Sequence, residues 1–296
     1  MDWIISTLQD SWTNLLTAFG AFMIPAFFFI CLGYIVKRGE FVSALKSALP
    51  EFKLNVKLQL FNVLFSAPFV AIYVTAIHSF MIEHQLFLIK PGSWDALPLV
   101  FTMFMAVFVG DFFHYWRHRL DHTRLLWPAH AVHHSDTHVS WFTSARWHPI
   151  NLLTMRGVGG SAMLLMGFPP VAIIFNSFVR AYYGFFIHAD VPWTYGKWGN
   201  YFVSPAMHRW HHSSEAKAFD KNFGEFFCIF DKAFGTFYLP GPCEGPLGVH
   251  HAMEPTLRGQ LGYAFTPKAY VPFVKLMKRK WKALRAAPQP QESESA

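Results

Sequence analysis

Charge is scarce: Asp, Glu, Lys and Arg make up 15% of the 296 residues, against roughly 25% in an average soluble domain, so a fully water-facing surface is not expected. The three cysteines, Cys31, Cys228 and Cys243, are too scattered for a disulfide framework and give no spacing for a thiolate metal site. No Gly-rich dinucleotide fingerprint, no iron–sulfur cysteine pattern and no separate haem domain is evident, so no electron-transfer module is expected within the chain. Met1-Asp2-Trp3 lacks a basic region and no small-residue cleavage site follows the first apolar run, so no signal peptide is expected.

What fills the space is apolar. Hydrophobic residues reach 53% and aromatics 18%, led by 33 Phe. Charge-free stretches run from Ser11 to Val36, Leu58 to Ile82, Ala96 to Gly110 and Gly157 to Val179, and a membrane span needs about 20 mostly apolar residues. The first two read as transmembrane helices. The third reaches spanning length by including Phe112 and Phe113, and so brings Asp111, His114 and His118 to the membrane surface.

The segment from Asn151 to Ile187 would be about 55 Å long as one helix, too long for a single span. Gly167-Phe168-Pro169-Pro170 breaks it in the middle, because proline removes a backbone donor and restrains the residue before it. A helical hairpin follows. The expected fold is therefore an all-α integral membrane protein of about three transmembrane helices plus this hairpin, with a histidine-rich helical cap. Lys37, Arg38, Lys46, Lys53 and Lys57 crowd the loop between the first two spans, which puts that loop and the cap in the cytoplasm and the N-terminus outside. In a bacterium this would be the inner membrane. Nothing reads as a linker, so residues 1–285 form one expected domain. Lys275, Lys278, Arg279, Lys280, Lys282 and Arg285 lie among apolar residues and Trp281, a basic amphipathic stretch suited to anionic lipid rather than nucleic acid. Residues 286–296 read as a disordered tail.

The sixteen histidines concentrate between positions 114 and 212. Eight fall in three tight boxes: His114-Tyr-Trp-Arg-His118, His130-Ala-Val-His133-His134 and His208-Arg-Trp-His211-His212. Residues three and four apart share a helix face, so each box can aim its ring nitrogens at one point. Eight imidazoles suffice for two metal ions, and imidazole suits iron, zinc, copper or nickel rather than magnesium or calcium. His78, alone in an apolar helix, reads as a hydrogen-bonded core residue, and His250-His251, after a Gly/Pro-rich loop, as solvent-facing.

These boxes, in this order and flanked by spans, resemble the fatty acid hydroxylase/sterol desaturase family of integral-membrane di-iron oxygenases. The likeness extends to His133-His134-Ser135-Asp136, Ser144-Ala145-Arg146-Trp147-His148-Pro149, His188-Ala189-Asp190, Asn222-Phe223-Gly224 and Asp231-Lys232-Ala233-Phe234-Gly235-Thr236, within residues 97–239. The resemblance implies two non-haem irons held by His114, His118, His130, His133, His134, His208, His211 and His212, with His188 as a ninth ligand. His122 and His138 would overfill that site, and His148 before Pro149 also suits a helix cap. It further implies oxidation of a lipid C–H bond, hydroxylation more than desaturation, with O2 as co-substrate and two electrons from an external ferredoxin, b-type cytochrome or reductase.

The chemistry agrees with that inventory, because breaking an unactivated C–H bond lies beyond side-chain acid–base catalysis and needs a metal and oxygen. Asp111, Asp136, Asp190, Glu225 and Asp231 are candidates to orient the imidazoles, with ion pairs to neighbouring arginines as the competing role. A membrane zinc hydrolase is the weaker alternative, since the H-E-x-x-H base is missing and a catalytic zinc takes three protein ligands plus water. A non-enzymatic haem or metal carrier would need paired histidines on facing spans, whereas these cluster at one surface.

Overall fold

The computed structural model describes residues 2–251, 253–271 and 274–275, with side chains from Phe22 onward and those of Leu16 and Gly20. The basic stretch beyond Lys275 and the expected tail lie outside the described residues. Ten α-helices and no β-strand occur among the described residues: α1 (Asp2–Lys37), α2 (Phe41–Phe61), α3 (Ala67–Glu83), α4 (Leu99–Asp121), α5 (Trp127–His134), α6 (Pro149–Leu165), α7 (Pro170–Ile187), α8 (Pro205–His211), α9 (Ile229–Ala233) and α10 (Leu257–Tyr263).

Three stretches are long and apolar enough to cross a membrane, within Phe22–Glu83, Leu99–Asp121 and Pro170–Ile187. Their outer faces are apolar: Ile24, Phe27, Phe69, Ile72, Val100, Ile174 and Phe178 are all exposed. That is the pattern of helices solvated by lipid rather than water.

The hairpin breaks where the sequence places the break. α6 ends at Leu165, Gly167 takes a left-handed φ of +62°, and α7 begins at Pro170. A Cβ at Gly167 would collide with the Ile89 carbonyl, so glycine is needed there for space as well as for φ. Both arms pack on α4, through a core of Ala106, Ala162, Met163, Phe168 and Ala172. Small residues permit the close approaches: Gly110 of α4 meets Asn176 of α7, and Gly157 and Gly160 of α6 meet Tyr73 and His78 of α3. His78 is half-buried with its Nε2 unpartnered, so it packs without the expected hydrogen bond.

The basic segment between the first two spans is helical rather than a loop. α2 runs on through a π-turn at Asn62–Ser66 into α3, with Leu54 and Leu58 buried against Val132, Met253, Leu257 and Leu261. Leu54 and Leu58 recur at helical spacing on the buried side, while Lys46, Lys53 and Lys57 stay exposed. α2 thus braces the end of the bundle that carries the histidines.

Candidate metal centre

Nine histidines converge into two groups. In the first, nitrogens of His118, His122, His130, His134 and His211 all lie within 4.8 Å of one another; in the second, those of His133, His188, His208 and His212 do the same. Pairs spaced i, i+4 stay together: His118 with His122, His130 with His134, His208 with His212. Adjacent pairs divide, because neighbouring residues point about 100° apart on a helix. His133 and His134 therefore serve different groups, as do His211 and His212, so the boxes do not each converge on one point as their spacing suggested.

Local sequence sets these short helices. Pro128 and Pro205 occupy first-turn positions in α5 and α8, and Ser204 caps α8 by accepting from the Met207 N–H at 3.2 Å. His188 sits at the C-terminal end of α7. His118, His130, His133, His134, His188, His208, His211 and His212 are buried, and only His122, at the end of α4, keeps a solvent edge with 8% of its side chain accessible.

These groups bring together eight of the nine expected ligands. His114 belongs to neither. Its Nδ1 faces the guanidinium of Arg117 at 3.2 Å and that of Arg180, with a Glu225 carboxylate oxygen 3.5 Å away. His122, expected to overfill the site, stands in the first group instead. Both His114-x-x-x-His118 and His118-x-x-x-His122 have helical spacing. Depth decides between them: His122 lies one turn nearer α5 and α8, whereas His114 lies one turn deeper along the span. His148 caps α6, accepting from the Ile150 N–H at 3.2 Å while Nε2–H donates to the Leu261 carbonyl at 3.0 Å. His138 is exposed; His250 is exposed against Phe219, while His251 is half-buried and stacks on Tyr263.

Three imidazoles are oriented by backbone carbonyls. His118 Nδ1–H donates to Phe223 at 3.0 Å, His188 Nδ1–H to Gly184 at 2.6 Å and His211 Nδ1–H to Lys221 at 2.7 Å. Each bond fixes the proton on Nδ1 and leaves the Nε2 lone pair free for a ligand. Carboxylates were expected in this role, but four of the five candidates act on other groups. Asp231 accepts from the Phe223 and Gly224 N–H groups, both at 2.8 Å, and from Thr236 at 2.7 Å, thereby bracing the loop that presents the Phe223 carbonyl. Asp111 accepts from the backbone of Glu225, Phe226 and Phe227. Asp136 ties Asn55, Thr143 and the His138 N–H together, and Asp190 pairs with Lys37 and Arg209. Only Glu225 approaches a candidate imidazole, that of His114. A carboxylate the sequence had not suggested, Asp220, stands 3.4 Å from His122 Nδ1.

Two further motif residues clamp the second box. Arg146, fully buried, donates to the Val132 carbonyl at 2.8 Å, Ser135 at 2.7 Å, Asn55 at 2.9 Å and Glu51 at 2.6 Å. Trp147 stacks flat on His133, centroids 4.4 Å apart.

The nitrogens within each group are spaced as ligands are. Ligand nitrogens about 2.1 Å from a metal ion lie roughly 3.0 Å apart along an octahedral edge and roughly 3.4 Å apart along a tetrahedral one. The Nε2–Nε2 contacts run 3.1, 3.2 and 3.2 Å in the first group and 2.9, 3.3 and 3.3 Å in the second. His188 Nε2, a lone pair by virtue of its Nδ1 bond, meets two other Nε2 atoms, and His211 Nε2 is buried without a partner. Converging buried lone pairs are unfavourable until a cation lies among them. Burial, reinforced by neighbouring imidazoles, holds His130, His133, His134, His208, His211 and His212 well below the usual imidazole pKa, and burial alone brings His188 to about 4. All are neutral at pH 7, the form that binds metal.

Residues 103–236 match the family model for fatty acid hydroxylase. Among known proteins the chain is 31% identical to ornithine lipid hydroxylase of Rhizobium tropici over 180 residues, 60% of this chain and 54% of that protein. It is 31% identical to alkylglycerol monooxygenase of Homo sapiens over 145 residues, 49% of this chain and 32% of that protein. Lathosterol oxidase of Rattus norvegicus is 26% identical over 162 residues, 52% of this chain and 50% of that protein. The matched stretch thus spans about a third to about half the length of these relatives. No solved structure matches the chain. The matched stretch contains all nine converging histidines, so both groups lie wholly within the part of the chain that matches the fatty acid hydroxylase family model.

Proposed function

We propose that this chain is a membrane-bound, non-haem di-iron oxidoreductase that uses O2 and two electrons to hydroxylate a C–H bond of a lipid. The observation that carries the reading is the pair of all-histidine groups, spaced as ligands and set at the end of helices whose outer faces are apolar. His118, His122, His130, His134 and His211 would hold one iron and His133, His188, His208 and His212 the other. Bound there, the irons would supply the activation of dioxygen that no side chain can provide.

The chain's own residues do the rest. The carbonyls of Phe223, Gly184 and Lys221 orient three imidazoles, while Arg146 and Asp231 hold the segments that carry them. Burial keeps water from the nitrogens, and α4 and α7 offer an apolar approach from the membrane for an alkyl chain or ring. The named relatives act on ornithine lipid, alkylglycerol and lathosterol, and a membrane lipid of this kind is the proposed substrate class. Electrons come from a separate ferredoxin, b-type cytochrome or reductase.

The histidine groups face the cytoplasm with the N-terminus outside, because Lys46, Lys53 and Lys57 lie on α2, which packs at the same end of the bundle. An impermeant thiol reagent should fail to label His250→Cys in intact cells and should label it after lysis; labelling from outside reverses the orientation. The enzymatic reading is tested by metal content in detergent and by 18O2 incorporation into a panel of lipids with a ferredoxin–reductase couple. About two irons per chain with label in one lipid class is the expected result; stoichiometric zinc and no label refutes it.

A further inference from the structure

His114 is the one histidine of the three boxes that the metal groups do not absorb. It lies one turn below His118 on the same face of α4, ring centroids 5.3 Å apart. It therefore borders the first group from the membrane side, with 11% of its side chain still accessible.

Its proton can be placed. Arg117 and Arg180 both direct guanidinium nitrogens at Nδ1, and a guanidinium can only donate. Nδ1 is thus the acceptor, and the ring proton sits on Nε2. The Glu225 carboxylate, 3.5 Å from Nδ1, would favour the opposite tautomer, but it is farther than either guanidinium and is itself held by Arg180. Neither arginine is free to turn away: Arg117 is paired with buried Asp121 and Arg180 also with buried Asp111. A histidine whose Nδ1 accepts and whose Nε2 carries hydrogen has no lone pair left for a metal.

We infer that His114 is an N–H donor, locked in that tautomer by Arg117 and Arg180, that binds a small anion drawn to the two metal groups. The inference rests on the metal reading above. Nine neutral imidazoles leave two metal ions strongly cationic, so small anions collect there, and a fixed N–H selects where they sit. In turnover the same donor would meet the negative charge that dioxygen acquires on reduction.

The probe is azide, titrated into the ferric, iron-loaded full-length protein in detergent and followed by its charge-transfer absorption. His114→Leu should keep two irons per chain and weaken azide binding roughly 10- to 100-fold, the worth of one hydrogen bond to a charged partner. His114→Gln, which carries an N–H donor at similar reach, should keep both irons and bind azide within about threefold of wild type. Loss of one iron in either variant makes His114 a ligand and overturns the inference while leaving the two-metal reading intact. Unchanged azide affinity in His114→Leu, or weakening in His114→Gln as large as tenfold, overturns it as well. If His114→Leu fails to fold, His114→Phe, which fills the same space with a ring that has no donor, takes its place and is held to the same weakening. Absence of iron from the wild-type protein is the separate signature that the metal reading has failed.

Discussion

Replacing His122 by alanine separates a ligand from a bystander, because the residue sits at the solvent edge of the first group. Its Nε2 stands 3.2 Å from His134 Nε2 within a group of five. Four-ligand zinc sites bind with roughly 10–16 kcal/mol, or roughly 3 kcal/mol per ligand, so loss of one should raise the dissociation constant about 100-fold. Water entering through the 8% accessible edge can take the vacated position and reduce that figure. Its ring also packs on Trp127 and Phe223, with centroids 5.0 and 4.9 Å away, so the metal-free variant should unfold a few degrees below wild type. The assay is iron retained per chain after dialysis against graded chelator, beside His138→Ala, whose exposed ring touches neither group. Iron should leave at a chelator strength that wild type and His138→Ala withstand. Retention of both irons at the wild-type threshold would refute the placement of His122 in the site.

Other expectations follow from named contacts. Asp231→Asn leaves one of two backbone N–H donors facing an amide NH2 in a fully buried site, and should cost about 2–4 kcal/mol; by loosening the Phe223 carbonyl on His118 it should weaken iron binding roughly 10- to 100-fold, read by chelator competition. Gly167→Ala forces a left-handed φ and a clash on the turn between α6 and α7, costing at least about 1–2 kcal/mol in thermal unfolding; an unchanged midpoint refutes the turn geometry. The metal-free protein should hold its stability above pH 6.5 and lose it as the pH falls from 6.5 towards 4, because histidines with depressed folded pKa values charge first in the unfolded chain. Asp231, raised to about 6 by burial, and Glu225, also raised by burial, oppose this by gaining stability on acidification, but outside the spans they are two groups against seven buried histidines; rising stability on acidification contradicts the site's burial.

Much of the architecture was legible because lipid is a strict solvent. Charge-free length marks the spans, and Gly167 with Pro169 and Pro170 marks the hairpin, since nothing else in that segment stops a helix. α2 was missed because lysines every few residues read as a loop, although Leu54 and Leu58 recur at helical spacing. For the centre, spacing along each box gave the faces but not the depth, so His114 and His122 were interchangeable until α5 and α8 fixed the height of the site. The carboxylates stand out in the sequence as orienting groups or arginine partners, and Asp190 pairs with Arg209, Asp111 and Glu225 with Arg180. Asp111 and Asp231 serve backbone N–H groups of residues 223–227, contacts of long sequence separation that no local pattern encodes.

The division of His133 from His134 and of His211 from His212 ties the two groups through single peptide units. α5 and α8 each reach into both groups, so neither helix can shift to tighten one set of nitrogens without disturbing the other. The chain cannot assemble half of this centre and defer the rest. Filling of the first position should pre-arrange the second, and the population carrying a single ion should stay small at every metal concentration.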